Sequence, residues 1–319
     1  MEHRVQSSSD PSLQLYLRER RPANLASRHS VPLLLVHGAT IPSVLWDNPL
    51  PGWSWMDRLA MDGFHVFAVD LRGYGRSSQP ESFDHPPHEN APYARAGDVT
   101  QDVIDAIDFI LARSDAMQVD LLGGSWGSII CGKLVAENPK INIRRLVLYA
   151  PLYSETQKRP DWLSTSVAPL AASLGAYRNV APEQLKHRWD AEIPVQDKSL
   201  WRPDGILEAL TDNCIEDDNR DGHTGRPDFR VPNGTIADLH EVYDGKPLYN
   251  SNNINVPTLL IRGSHDPVST HEDASRLLNS LKSNVKRYVV VENGAHFMIA
   301  ENKIDEVHAS ITGFLAETS

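Results

Sequence analysis

Val119-Asp120-Leu121-Leu122-Gly123-Gly124-Ser125-Trp126-Gly127-Ser128-Ile129-Ile130 decides the fold. A short apolar strand runs into Gly-x-Ser-x-Gly and out into an apolar helix. This order suits a nucleophile elbow, where a serine on a tight strand-to-helix turn exposes its oxygen above a sheet edge. The flanking glycines leave room for backbone that would otherwise clash. With Gly and Ser each near 7% of residues, the bare pattern arises by chance in roughly one chain in ten of this length. The flanking elements and the partners elsewhere in the chain must therefore carry the reading.

Outward from the elbow, strand and helix patterns alternate. Residues 12–18 alternate apolar and polar, as a half-exposed edge strand does. Residues 32–37 form the continuous apolar run of a buried strand, and Phe64 to Asp70 form another. From Asp98 to Arg113, Val99, Val103, Ile107, Ile110 and Leu111 fall on one helical face. The elbow strand covers 117–123 and its helix about 126–138, and Leu146 to Tyr149 make the next strand. From 152 to 255 no strong strand pattern occurs, and the pieces read as helical around Trp and Pro residues. Alternation returns with a strand at Val256–Arg262, a helix at 271–282, a strand at Lys286–Val291 and a helix at 303–316. The expected fold class is α/β, a mostly parallel sheet flanked by helices with an inserted, mainly helical cap. The core then comprises residues 1–151 plus 256–319, and the cap 152–255.

A serine nucleophile needs a base, and its tetrahedral intermediate needs donors for an oxyanion. In elbow folds the chain order is serine, acid, histidine. Asp266 follows the strand at 256–262, and His296 follows the strand at 286–291. Both therefore fall on the carboxyl-end rim that carries Ser125, where such sheets bind ligands. Asp266 could instead cap the following helix, with Glu155 as the rival acid. His265 reads as a surface loop residue. The backbone N–H of Trp126 is one expected oxyanion donor. The turn His37-Gly38-Ala39-Thr40 supplies the second, through Ala39 or, next to it, Thr40.

These motifs resemble the α/β-hydrolase fold family over nearly all of the chain outside the cap. The His37-Gly38 turn, the run Asp70-Leu71-Arg72-Gly73-Tyr74-Gly75-Arg76-Ser77, the Ser125 elbow and the Asp266 and His296 loops follow the family order. The resemblance implies that Asp70 and Arg72 shape a turn beside the site. The elbow Gly123-Gly124-Ser125-Trp126-Gly127-Ser128 is similar to that of proline iminopeptidases, in which cap carboxylates hold the substrate's amine. Glu183, Glu192, Glu208 and Glu216 are the acids available for that role. That subfamily carries His-Gly-Gly-Pro-Gly at the oxyanion turn, and Ala39-Thr40-Ile41-Pro42 departs from it.

The favoured function is a cofactor-independent serine hydrolase with Ser125, His296 and Asp266 as its triad. It would cleave an ester, lactone or related acyl bond of a small, rather apolar substrate. The alternatives are a prolyl aminopeptidase-like enzyme, and a receptor or non-hydrolytic enzyme on the same scaffold. Trp126, Trp162, Trp189 and Trp201 are candidates to line the acyl site. The 13 His are scattered without a His-Glu-x-x-His helix, so no metal is expected. The net charge of −11 argues against a nucleic-acid partner. Two cysteines, Cys131 and Cys214, exclude a disulfide framework. No run reaches the ~18 apolar residues of a membrane span. A cytoplasmic protein with a small-molecule substrate is expected. No motif specifies an oligomeric state.

Overall fold

A computed structural model describes residues 1–22, 29–155, 174–220 and 225–317. Eight strands form one sheet: β1 (Glu2–Gln6), β2 (Gln14–Arg20), β3 (Leu33–Val36), β4 (Val66–Asp70), β5 (Val119–Gly124), β6 (Ile143–Tyr149), β9 (Thr258–Gly263) and β10 (Lys286–Val291). Their spatial order is β1-β2-β4-β3-β5-β6-β9-β10. All neighbours from β4 to β10 are parallel, and β1-β2 and β2-β4 are antiparallel. The central strands β3, β4 and β5 are buried along their whole length, which accounts for their continuous apolar runs.

Helices α1 (Trp55–Met61), α2 (Ala96–Ser114), α3 (Trp126–Glu137) and α8 (Ile304–Ala316) pack against this sheet. The apolar stripe of α2 buries Val99, Val103, Ile107 and Ile110, while the Asp98 side chain accepts from the Arg95 amide to close its first turn. Helix α3 is apolar on nearly every side and mostly buried, as befits a helix between the sheet and other layers. Helix α7 (His271–Ser280) follows β9.

The stretch between β6 and β9 adds no strand to the eight-stranded sheet among the described residues. It holds α4 (Pro182–Glu192), α5 (Ile206–Asp218) and α6 (Gly234–Tyr243). It also holds a two-stranded antiparallel sheet, β7 (Tyr177–Val180) with β8 (Phe229–Pro232). That sheet corrects the expectation of a segment without strands. Each strand spans only four residues, and the partners lie about fifty positions apart, so no local pattern announces them.

A second correction concerns β2, expected as a half-exposed edge strand. β1 covers its outer side, and Leu15 to Glu19 are all buried. The charged residues of β2 face charged or ionisable partners instead of open water. Arg18 meets Asp47, and Glu19 accepts from His3, Arg21, His65 and Arg113. Burial alone would raise the Glu19 carboxyl, but these donors outweigh it and hold its pKa at about 2.

Candidate active site

Ser125 sits between β5 and α3 with φ 53° and ψ −121°, a backbone region that non-glycine residues seldom enter. Neighbouring backbone fixes this turn. The Ser125 amide donates to the Tyr149 carbonyl at 2.8 Å, and the Ser125 carbonyl accepts from the Ser128 amide at 2.8 Å. The glycines on either side are required sterically. A Cβ on Gly123 would come within 2.2 Å of the Gly127 carbonyl oxygen, and one on Gly127 within 2.5 Å of the His37 carbonyl oxygen.

The structure brings Ser125, His296 and Asp266 together. The Ser125 hydroxyl lies 2.9 Å from His296 Nε2, and His296 Nδ1 lies 2.8 Å from Asp266 Oδ2. The other Asp266 oxygen accepts from the amides of Val268 at 2.8 Å and Ser269 at 2.9 Å. Burial opposes ionisation of Asp266, but the imidazole and these amides outweigh it and hold the carboxyl below its usual range. Asp266 does not cap α7, because Thr270 does so by accepting from the Asp273 amide at 3.1 Å. The rival acid Glu155 accepts from the Thr270 hydroxyl. His265 lies half-buried in the loop after β9, its ring against that of Trp201 with centroids 5.3 Å apart.

The expected oxyanion turn lies against the serine, since a Cβ on Gly38 would stand 3.0 Å from Ser125 Cβ. His37 orients it. The Leu71 amide donates to His37 Nε2 at 3.1 Å, which leaves Nδ1 to donate to the Gly38 carbonyl at 2.8 Å. Burial lowers the His37 pKa and keeps the ring neutral. With the Gly38 carbonyl turned to His37, the Ala39 N–H of the same peptide points the opposite way. Among the described residues, neither the Ala39 nor the Trp126 amide has an acceptor. Asp70 accepts from the amides of Ser43 and Arg76, and Arg72 forms a bidentate pair with Asp102, so both brace the neighbouring turn.

A narrow, open-mouthed cavity lies above Ser125. Ile41, Leu45, Trp46, Leu239, Val268 and Phe297 give it apolar walls, and Arg188 adds a charged one. Of the tryptophans singled out from sequence, Trp126, Trp189 and Trp201 do not line it. The fully buried Trp126 donates its indole N–H to Asp238 of α6 at 2.9 Å. Trp189 and Trp201 donate theirs to the two oxygens of Glu301, at 2.9 and 3.1 Å. Trp162 lies outside the described residues. Trp46, which does line the cavity, carries no motif that marks it.

Of the candidate acids, Glu183, Glu208 and Glu216 are exposed, whereas Glu192 is buried beside the site. Its Oε2 accepts from the His296 amide at 3.2 Å, and its Oε1 lies 3.6 Å from the Arg188 Nε. Burial raises the Glu192 carboxyl against the pull of Arg188 and His296. A hydroxyl, an imidazole and a buried carboxylate in this order, at the foot of a mostly apolar cavity, can deliver an alkoxide-like nucleophile to a bound carbonyl.

The chain belongs to the α/β-hydrolase fold family, which it matches over residues 31–303. It is similar to a haloalkane dehalogenase of Psychrobacter cryohalolentis, at 30% identity over 140 residues, 42% of this chain and 37% of that protein. It is also similar to epoxide hydrolase A of Mycobacterium tuberculosis, at 25% identity over 327 residues and 89% of each chain. The fold is shared with an esterase from Exiguobacterium antarcticum, with a TM-score of 0.65 over 99% of this chain and 100% of that one, at 16% identity. Among the described residues, no helix is long and apolar enough to cross a membrane.

Proposed function

We propose that the protein is a serine hydrolase that cleaves an ester, lactone or related acyl bond through an acyl-enzyme. The observation that carries this reading is the hydrogen-bonded chain from Ser125 through His296 to Asp266 at the foot of an apolar cavity. In this mechanism His296 Nε2 takes the Ser125 proton as the oxygen attacks the carbonyl carbon. The amides of Trp126 and Ala39 receive the oxyanion. The imidazolium, stabilised by Asp266, then protonates the leaving group as the tetrahedral intermediate collapses. A water, deprotonated by His296, attacks the acyl-serine and restores the enzyme. Residues 152–255 act as a cap that shapes the acyl site, to whose wall they contribute, among the described residues, Arg188 and Leu239.

The aminopeptidase-like reading needs an acid facing the pocket to hold a substrate ammonium. Among the described residues the charged one on the wall is Arg188, and Glu192 faces the His296 amide and Arg188. This favours the acyl hydrolase. The test is fluorophosphonate labelling together with a panel of p-nitrophenyl esters, lactones and proline arylamides, with Ser125→Ala as control. The expected result is labelling of Ser125 and turnover of esters or lactones, both absent from the control. Absence of labelling would support a receptor, and turnover confined to the arylamide would support the peptidase.

A further inference from the structure

The two sides of the cavity meet different halves of a substrate, given the acyl-hydrolase reading on which this inference rests. Ile41, Leu45 and Trp46 follow β3, which lies on one side of β5 and its Ser125. Asp266 and His296 follow β9 and β10, which lie on the other side. A leaving-group oxygen must come within hydrogen-bond reach of His296 Nε2 to take its proton. The leaving group therefore faces the histidine, where Val268 and Phe297 stand, and the acyl chain runs the opposite way, over Gly124 toward Trp46.

Trp46 closes that direction. It lines the cavity yet is fully buried, and Ile41 and Leu45 in the same wall are buried too. The six-membered ring of the indole lies on the residue before the nucleophile. A Cβ on Gly124 would stand 2.9 Å from Trp46 Cη2 and 3.0 Å from Cζ2, so no chain can pass between the indole and the elbow. Two further rings hold the indole. Tyr149 meets it edge to face with centroids 5.9 Å apart, and Trp55 packs on it at 5.7 Å. Tyr149 is fixed in turn, its hydroxyl donating to the His296 carbonyl at 3.0 Å. A close-packed wall of this kind does not yield cheaply to added methylenes.

We propose that Trp46 is a specificity-determining residue that ends the acyl site, and that the preferred substrates carry short acyl groups, acetyl or propionyl. The indole face takes the end of the acyl chain, and a longer chain collides with it.

The test measures kcat/KM for the p-nitrophenyl esters of acetic, propionic, hexanoic and octanoic acids in wild type, Trp46→Leu and Trp46→Phe. A second series keeps the acetyl group and lengthens the alcohol through ethyl, hexyl and octyl acetate. In wild type the acetate and propionate are expected to exceed the hexanoate by about 10- to 100-fold, the cost of forcing methylenes into a filled apolar site. The hexanoate-to-acetate ratio is expected to rise by about 10-fold or more in Trp46→Leu and by less in Trp46→Phe. The alcohol series is expected to keep its wild-type order in both variants, which a general loosening of the site would not allow. A wild-type profile that is flat or rises with acyl length overturns the proposal even if neither variant folds. An unchanged ratio in folded Trp46→Leu overturns it as well, and a shift confined to the alcohol series puts Trp46 on the leaving-group side instead. In each of these cases fluorophosphonate labelling of Ser125 keeps the acyl-hydrolase reading. Absence of both labelling and hydrolysis removes that reading, and the chain-length limit with it.

Discussion

The Arg178 guanidinium donates to the Ala39 carbonyl oxygen at 3.0 Å, and the Tyr74 hydroxyl donates to the same oxygen at 3.1 Å. Ala39 belongs to the turn after β3, whereas Arg178 lies on β7 in the inserted segment. That segment therefore holds the expected oxyanion turn from outside. Burial lowers the Arg178 pKa to about 10, which leaves it charged at neutral pH. Its bonds set the tilt of the peptide between Ala39 and Thr40, next to the amide expected to meet the oxyanion. Replacing Arg178 by Met is expected to reduce kcat for ester hydrolysis by about 10- to 100-fold, since small misplacements of catalytic donors carry such penalties. KM is expected to change far less. Steady-state kinetics on one ester checks this, and a fall in kcat/KM caused by KM alone would contradict it.

The sheet, the elbow and the three residues linked by hydrogen bonds were legible because each is announced locally. Ser125, Asp266 and His296 all follow a strand, so periodicity alone puts them on one rim. The turn of Ala39 was legible for the same reason. Glu192, Arg188, Arg178 and Glu301 were not legible as site neighbours. Three of them lie on α4 or β7, and their distance from Ser125 depends on how the inserted segment docks. Glu301 lies in the core part of the chain but receives indole N–H groups from Trp189 and Trp201, so its role also depends on docking. Trp126, Trp189 and Trp201 misled for a physical reason. An indole carries a donor that needs a partner when buried, and Asp238 and Glu301 provide one away from the cavity.

Asp266 is expected to act through the tautomer of His296. Its carboxylate can only accept, so Nδ1 must carry the proton and Nε2 is left to accept from Ser125. In Asp266→Asn the amide oxygen can stay on the Val268 and Ser269 N–H groups, which turns its NH2 toward Nδ1. The imidazole then carries its proton on Nε2 and cannot deprotonate the serine. A loss of about 10⁴-fold in kcat is expected, the size seen for such a change in other triads. Circular dichroism should show an unchanged fold. Activity within tenfold of wild type would remove Asp266 from the mechanism.

Gly127 tests the fit between the elbow and β3. A Cβ there would stand 2.5 Å from the His37 carbonyl oxygen and 2.6 Å from that of Val36, and backbone cannot swing aside as a flexible side chain does. Gly127→Ala is expected to cost about 3 kcal/mol, the upper part of the usual range for overpacking. It is also expected to impair turnover, because the His37 backbone leads into the oxyanion turn. Urea denaturation measures the first effect and ester kinetics the second. A variant as stable as wild type would contradict the close approach of α3 to β3.

Glu301 ties the loop before His296 to the inserted segment, accepting from the Ala295 amide at 2.9 Å and from the indoles of Trp189 and Trp201. Burial raises its pKa to about 7 from an ordinary 4.5, against the pull of these donors, and nearby Glu192 adds to the rise. Between those two values the folded chain holds a proton that the unfolded chain has lost. Stability from this group therefore falls as pH rises through the window, and it is level below 4.5 and above 7. Glu301→Gln removes the titration while keeping the shape of the side chain. The stability difference, wild type minus variant, is expected to shift toward the variant as pH rises from 4.5 to 7. Urea denaturation of both proteins from about pH 4 to about pH 8 checks this. A difference independent of pH would mean that folding leaves the Glu301 pKa at its ordinary value, with its three N–H donors cancelling the effect of its burial.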